Sequence, residues 1–473
     1  MFNLSLETAL SSLRAQQLAL DITSHNIANA NTPGYTRQRV NFAPNTPFPV
    51  PSLFAPMQPG QVGTGVVVAS IERVRDTFMD IEYRKELMNL GYWETRFDVL
   101  DKIQLIINEP SDTGLNQLMD RFWNAWQELS KNPENLATRA VVQQTAKALV
   151  ETFNHLRGQL DSLQNDIDFA VQANVEEINS IARQIRDIND QIFKTNIVKF
   201  NANDLMDQRD ELLNKLAKLI DFTLIDNQDG TISIDIGGKK LVDGLTVDSF
   251  KIEKNASGFF EVFWSDDTPV TITSQKGELA ANLAARDVDV QTMKDYLDSL
   301  AQTLIIETNN LHTQGYVLGS PMTNPGYNFF DGTDAQTIAL APEVSANLNN
   351  IAAAKTPSPG DGEIALAIAQ LKDKLTMTLP GSTTPTATFN DFYRTIISRL
   401  GVDAQEAERM YQNEQLLTKN LNNKRMESGG VSIDEEMANM ILYQNAYSAA
   451  ARIVTAIDEM MDIVINRMGI VGR

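Results

Sequence analysis

The apolar positions of the first thirty residues fall at helical steps. Leu6, Leu10, Leu13, Leu20 and Ile27 lie near one face, so residues 4–30 predict an amphipathic helix. Pro44, Pro47, Pro49, Pro51, Pro56 and Pro59 make 41–60 loop-like. The run at 65–68 predicts a short strand. From Thr77 to about Asp221 the pattern is helical, with breaks at Glu109-Pro110-Ser111, Asn132-Pro133-Glu134 and Asn201-Ala202-Asn203. Pro133 suits the first turn of a helix, where its missing N–H costs nothing.

At Asp221 the period changes. Thr231–Ile236 alternates, and Gly237-Gly238 joins it to Lys239–Val242, which is a hairpin signal. Phe250–Lys254 and Phe259–Trp264 predict a second hairpin, and Thr268–Thr273 one further strand. Helix resumes over Gly277–Gln314. Residues 315–360 are irregular, Gly360–Thr378 and Thr388–Ser428 are helical, Gly429-Gly430 breaks the chain, and Ile433–Met468 is a last helix. Asp434, Glu435 and Glu436 sit at its positive N-terminal end. The class is therefore mainly α with a β-rich insertion (α+β), in elongated nested domains. Residues 1–40 with 430–473 form a terminal helical domain, expected as a coiled-coil-like pair. Residues 41–220 with 277–429 form a helical-bundle body, and 221–276 form a small outer β module. The irregular 315–390 belongs either to the body or to an outer module.

Local chemistry adds detail. After Asn26, Ile27, Ala28, Asn29 and Ala30, the sequence Asn31-Thr32-Pro33-Gly34-Tyr35 predicts a helix end and a sharp exit. Pro33 pushes Thr32 towards an extended conformation, and Gly34 supplies a position with positive φ. Ala446, Ala450, Ile453, Ile457, Met460, Val464 and Met468 recur at three- and four-residue steps. That is the seam of a coiled coil or the inner face of a monomeric bundle helix. Asp204, Asp207 and Asp210 share a helix face, but Arg209 lies among them and calcium needs a turn with more oxygens. A solvated or salt-bridged face is the reading.

Composition narrows the classes. The chain has 473 residues, 42% of them hydrophobic and 21% charged, which is globular. A net charge of −21 excludes a nucleic-acid binder. Residues 1–60 are near neutral, which suits an element that packs on copies of itself. There is no cysteine, hence no disulfide or thiol chemistry. His25, His155 and His312 lack ligand spacing, and no nucleophile-elbow, zinc-protease or phosphate-loop motif occurs. No enzyme activity, cofactor or metal is expected. No cleavable signal peptide is visible and no apolar run is long enough to span a membrane.

Asn26 to Tyr35, so close to the start, resembles the N-terminal signature of bacterial flagellar axial proteins: rod, hook and hook-associated proteins. Asn203-Asp204-Leu205-Met206-Asp207-Gln208-Arg209-Asp210, preceded by Ala202 and running to Leu213, resembles a helix of the hook-associated protein 1 family. Gly63–Val66, Ile71–Arg73, Asp76–Phe78 and Lys276–Ala280 are similar to that family too. The segment Gly430–Ile441, with Tyr443–Tyr447 and Ala450–Ile453, resembles its closing helix. The resemblance implies a structural protein of the hook–filament junction, exported by the flagellar type III apparatus. It implies a homo-oligomeric helical ring with the terminal helices as inner tube. It also implies as partners the hook protein, the next junction protein and a cytosolic export chaperone at the C-terminal region. A hook or rod protein is the alternative of the same class, against which the Asn203–Leu213 helix speaks. A secreted binder or enzyme with its activity in the central insertion is the alternative of another class.

Overall fold

The computed structural model describes residues 2–48, 61–109, 111, 114–198, 200–272 and 274–467. Helix α1 runs Phe2–Ala28. Strands β1 (Gln38–Pro44) and β2 (Val66–Arg73) form an antiparallel ribbon with a bulge at Asn41/Phe42. β1 thus carries strand into the segment read as loop; 45–48 follow without a named element, and 49–60 lie outside the described residues. Helices α2 (Thr77–Ile107), α3 (Leu115–Lys131), α4 (Leu136–Ile197) and α5 (Asn203–Leu219) follow. The cap of α4 is Asn135, whose side chain accepts from Ala137 N–H, so Pro133 precedes the helix rather than opening it. At 62 residues α4 spans about 93 Å and serves as the spine.

Two cores are threaded on that spine. The first joins the N-terminal half of α4 to α3, to the second half of α2, and to α7 (Gln291–His312) and α10 (Phe389–Gly429). Trp123, Trp126, Phe122, Phe329 and Phe330 fill it, with Phe329 and Phe330 edge-to-face at 4.8 Å. The irregular segment after α7 contributes β9 (Phe330–Asp331), β10 (Ala339–Leu340), α8 (Pro342–Ala346) and α9 (Glu363–Ala369). Its Ala335, Ile338, Val344 and Ile351 are buried in this core, so the segment packs in the helical body. Arg139 of α4, fully buried, donates to the carbonyls of Pro133 and Ile351 and staples the segment to the spine.

The second core lies along the C-terminal half of α4. Val171, Val175, Ile178, Ile181 and Ile185 meet Leu213 and Leu216 of α5 and the β-rich region. That region is a four-stranded antiparallel sheet, ordered β3 (Thr223–Asp226), β4 (Ile232–Ile236), β5 (Lys239–Asp243), β6 (Thr246–Val247), and a hairpin of β7 (Phe250–Lys254) with β8 (Phe260–Trp264). Gly237 and Gly238 have φ 61° and 89°, the backbone a two-residue hairpin turn needs. No strand forms over 268–272; Pro269 makes one isolated bridge to Phe263. Ile234, Leu241, Val242 and Trp264 are buried against the helices. The sheet is therefore one wall of a shared core. α6 (Glu278–Ala284) runs through a π-helical turn, Ala285–Val290, into α7.

The last helix, α11 (Ile433–Asp462), lies antiparallel to α1, with a π-helical turn to Arg467. Ser432 caps it by accepting from Glu435 N–H. Met468 lies outside the described residues.

Candidate functional site

The two ends of the chain and the middle motif meet at one place. Asn26, almost wholly buried, is the centre. Its Nδ2 donates to the Gln38 carbonyl (2.9 Å) and to Glu436 Oε2 (3.0 Å). Its Oδ1 accepts from Tyr35 Oη–H (2.8 Å) and Gln38 N–H (3.0 Å). The turn between runs through Asn29, Ala30, Asn31, Thr32 and Pro33, with Thr32 Oγ1 donating to Asn29 Oδ1 (3.1 Å). Gly34 has φ 79°, as its place after Pro33 predicts. Ile27 is half-buried and Ala28 ends α1. Burial, with Asp204, Asp207 and Glu436 near, pushes the Tyr35 phenol upward.

α5 sits beneath this turn. Thr36 N–H donates to Asp207 (2.8 Å). Gln38 Nε2 donates to Asp204 (2.7 Å), and Asn203 Nδ2 to Gln38 Oε1 (3.1 Å) and the Ile71 carbonyl (3.0 Å). Arg73 bridges Asp207 (2.8 Å) and Asp210 (2.7 Å). Arg75 pairs with Asp210 and Asp80, and Arg84 with Asp210 (2.7 Å). Arg425 of α10 reaches Asp80 (2.7 Å). Burial works against the Asp210 charge, but Arg75, Arg84 and Arg73 outweigh it and hold the carboxyl below its ordinary value. At Asp207 burial wins over Arg73, and the carboxyl is raised. Arg209 turns the other way, donating to Asn189 (3.0 Å) and the Gly230 carbonyl (2.9 Å), which anchors the sheet. Leu205 packs with Ile188, Ile192 and Ala202, and Gln208 is exposed on a groove of about 460 Å³ beside the turn.

The acidic face is thus salt-bridged rather than solvated, and it joins α1, the ribbon, α2, α10 and the sheet. Arg37 closes the ring, pairing with Glu436 (2.7 Å) and Glu435 (2.8 Å) while its N–H donates to the Gly429 carbonyl (2.9 Å). Sequence reasoning missed Arg37, Arg73, Arg75, Asp80, Arg84 and Arg425. For Arg73 and Arg75 the available signal was Glu72-Arg73-Val74-Arg75-Asp76, a charge-dense run between strand and helix.

The terminal helices pair mainly through small residues, which include part of the α11 seam and lie beside the α1 leucines. In α1 the buried residues are Ala9, Ala15, Ala19, Thr23 and Asn26. Leu6, Leu13 and Leu20 are only half-buried and Leu10 is exposed. In α11 Ala450 and Ile457 are buried and Ala446 half-buried, while Ile453, Met460 and Val464 face outward. Small residues let the two backbones approach, so alanines take the contact and the larger apolar side chains flank it.

Sequence relatives decide the family. The flagellar hook-associated protein 1 of Bacillus subtilis is 34% identical, over 99% of each chain. This chain belongs to the flagellar hook-associated protein 1 family. The family described as "Flagellar hook-associated protein FlgK helical domain" matches residues 100–330. "Flagella basal body rod protein" matches 6–36, and "Flagellar basal body rod FlgEFG protein C-terminal" matches 422–468. The hook-associated protein 1 of Salmonella typhimurium is 25% identical over 97% of this chain and 98% of its own. The solved structure of the flagellar hook junction protein FlgK from Burkholderia pseudomallei has the same fold, with a TM-score of 0.61 at 14% identity. It covers 74% of this chain and 100% of its own. Members of the hook-associated protein 1 family are structural, and the chain is a structural component of the flagellum at the hook–filament junction. Among the described residues no helix is long and apolar enough to cross a membrane.

Proposed function

We propose that this chain leaves the cell by the flagellar type III route and assembles with its own copies into a helical ring joining hook to filament. The α1–α11 pair forms the inner tube, and the body and sheet lie outside it. The hook protein below, the next junction protein above and a cytosolic export chaperone on the C-terminal region complete the partners; nucleic acid and membrane have no part. One observation carries the reading. α11 leaves Ile441, Leu442, Ile453, Met460, Ile463, Val464 and Ile465 exposed, and α1 leaves Leu10 exposed. Large apolar side chains left exposed along one helix mark a surface to be covered. Between Thr8, Ala9 and Ser12 of α1 and Ala446, Ala449, Ala450 and Ile453 of α11 runs a groove of about 630 Å³, space for a neighbour's side chains.

The test is Ile453→Asp with Met460→Asp. Both side chains are exposed, so the monomer should melt as the parent does, while incorporation into flagella and motility are lost. Retained motility would sink the proposal. Ile457 is unsuitable here, because it is buried against α1 and its loss would disturb the monomer.

A further inference from the structure

α10 carries a second seam, which leads into the junction cluster at Arg425. Leu400, Ala404, Ala407, Tyr411, Glu414, Thr418, Leu421 and Arg425 alternate three- and four-residue steps, the spacing of a heptad. α2 lies antiparallel against it. Phe97 stacks on Tyr411 at 5.7 Å, and Arg425 lies 4.3 Å over the Tyr83 ring. Between these contacts the seam turns polar. Glu414 and Thr418 are about nine-tenths buried, and both Glu414 Oε2 and Thr418 Oγ1 lack a hydrogen-bond partner. The side chain that meets Glu414 from α2 is Glu86, another carboxylate, whose Oε2 accepts from Asn89 Nδ2 (3.0 Å).

We propose that Glu86 and Glu414 share one proton across the α2–α10 seam and so form a proton-dependent latch on the distal half of α10. Two facing carboxylates repel when both are ionised, and a proton on one converts the repulsion into a hydrogen bond. It also brings a donor to the buried Glu414 carboxyl, whose Oε2 lacks one. The nearby cations are engaged elsewhere. Lys85 pairs with Glu82 (2.7 Å), Lys218 of α5 with Glu94 (2.8 Å), and Arg425 with Asp80 (2.7 Å). Lys419 points to solvent, and Tyr411 is stacked on Phe97. Burial first, then the hydrogen bond and charge of Glu86, push the Glu414 carboxyl up to about 7. A raised value favours the folded state while the proton is held. This contribution is therefore complete below the ordinary glutamate range and is lost as pH rises to about 7.

The latch has a place where its release matters. α10 ends at Gly429, whose carbonyl accepts from Arg37 N–H in the junction cluster. Ionisation of both carboxylates would loosen α10 from α2 just before that junction.

Hydrogen exchange of the full-length chain, corrected for intrinsic rates, tests this over residues 408–425 at about pH 5.5 and about pH 8.5, either side of the transition. The parent should lose protection there by roughly tenfold or more at the higher pH. Glu414→Gln carries a permanent donor and should keep its protection at both values; Glu86→Gln should do the same. Glu414→Ala should be weak at both, since it removes the carboxyl that Glu86 meets and leaves a gap in the buried seam. A pH-independent parent, or a Glu414→Gln variant with the parent's slope, would overturn the proposal. So would full restoration at the higher pH by millimolar magnesium or calcium, which would make the pair a cation site.

Discussion

Asn26 and Glu436 are 410 positions apart in sequence and 3.0 Å apart in space, joined by a hydrogen bond from amide to carboxylate. The same amide holds the turn through Tyr35 and Gln38, so one side chain ties both ends of the chain to the exit from α1.

Asn26→Ala should therefore release the terminal unit without unfolding the body. It leaves Glu436 Oε2, the Gln38 N–H and the Tyr35 hydroxyl without their partner, while Arg37 still holds Glu436 Oε1, a loss of about 2–4 kcal/mol. The expected outcome is rapid proteolysis and hydrogen exchange in α1 and α11, with α3 and α4 protected as in the parent. Equal loss throughout the chain would show the terminal unit and body to be one cooperative unit.

Asp210→Ala should be more damaging than any exposed charge removal. It leaves Arg73, Arg75 and Arg84 converging on an empty site, and breaking such a buried set costs about 3–5 kcal/mol. Thermal melting of the variant, beside Glu151→Ala on an exposed stretch of α4 as control, measures the difference. The Asp210 carboxyl is held below its ordinary value, so its contribution is present above the usual aspartate range and fades only as pH falls below it.

His312 gives a second pH dependence with its own window. Its Nδ1–H donates to the Tyr327 carbonyl (2.7 Å), and its Nε2 accepts from Ala352 N–H (2.8 Å). Burial depresses it from 6.5 to about 4, so the folded state refuses a proton that the unfolded chain accepts. Stability should fall by about 1.4 kcal/mol per pH unit as pH drops from 6.5 towards 4, then level off. Urea titrations of the parent and His312→Gln across that range should differ by this slope. Parallel curves would remove His312 as the cause.

Excising the β-rich region, 222–273, should abolish the cooperative melting transition. The sequence pattern suggests a separable insertion, but Trp264, Ile234 and Leu241 cover Val175, Ile178 and Ile185 of the spine. Trp264→Ala alone should lower stability by about 3–5 kcal/mol. A shortened chain that still melts cooperatively would show that α4 and α5 close the core without the sheet.

Periodicity, turn chemistry and family motifs determined much of this protein. The helix ends near Ala28, Asn108 and Gly429, the Gly237-Gly238 hairpin, the cap at Ser432 and the turn at Gly34 are local events. Each is decided by backbone preferences within a few residues, which a sequence displays directly. The motif at 203–210 was legible as important, but its task was not, because its partners Thr36, Arg73, Arg75 and Arg84 come from the turn after α1, the end of β2, the link that follows it and α2. Which face of α1 is buried was also hidden. Leu10 and Ala9 are adjacent in sequence, and hydrophobicity favours the leucine. Yet α1 buries Ala9, Ala15 and Ala19 and leaves Leu10 exposed where it lies along α11. Tertiary structure decided that contact, the placing of the sheet on the spine and the meeting of Glu86 with Glu414, because each depends on the distance between two backbones that no local pattern records.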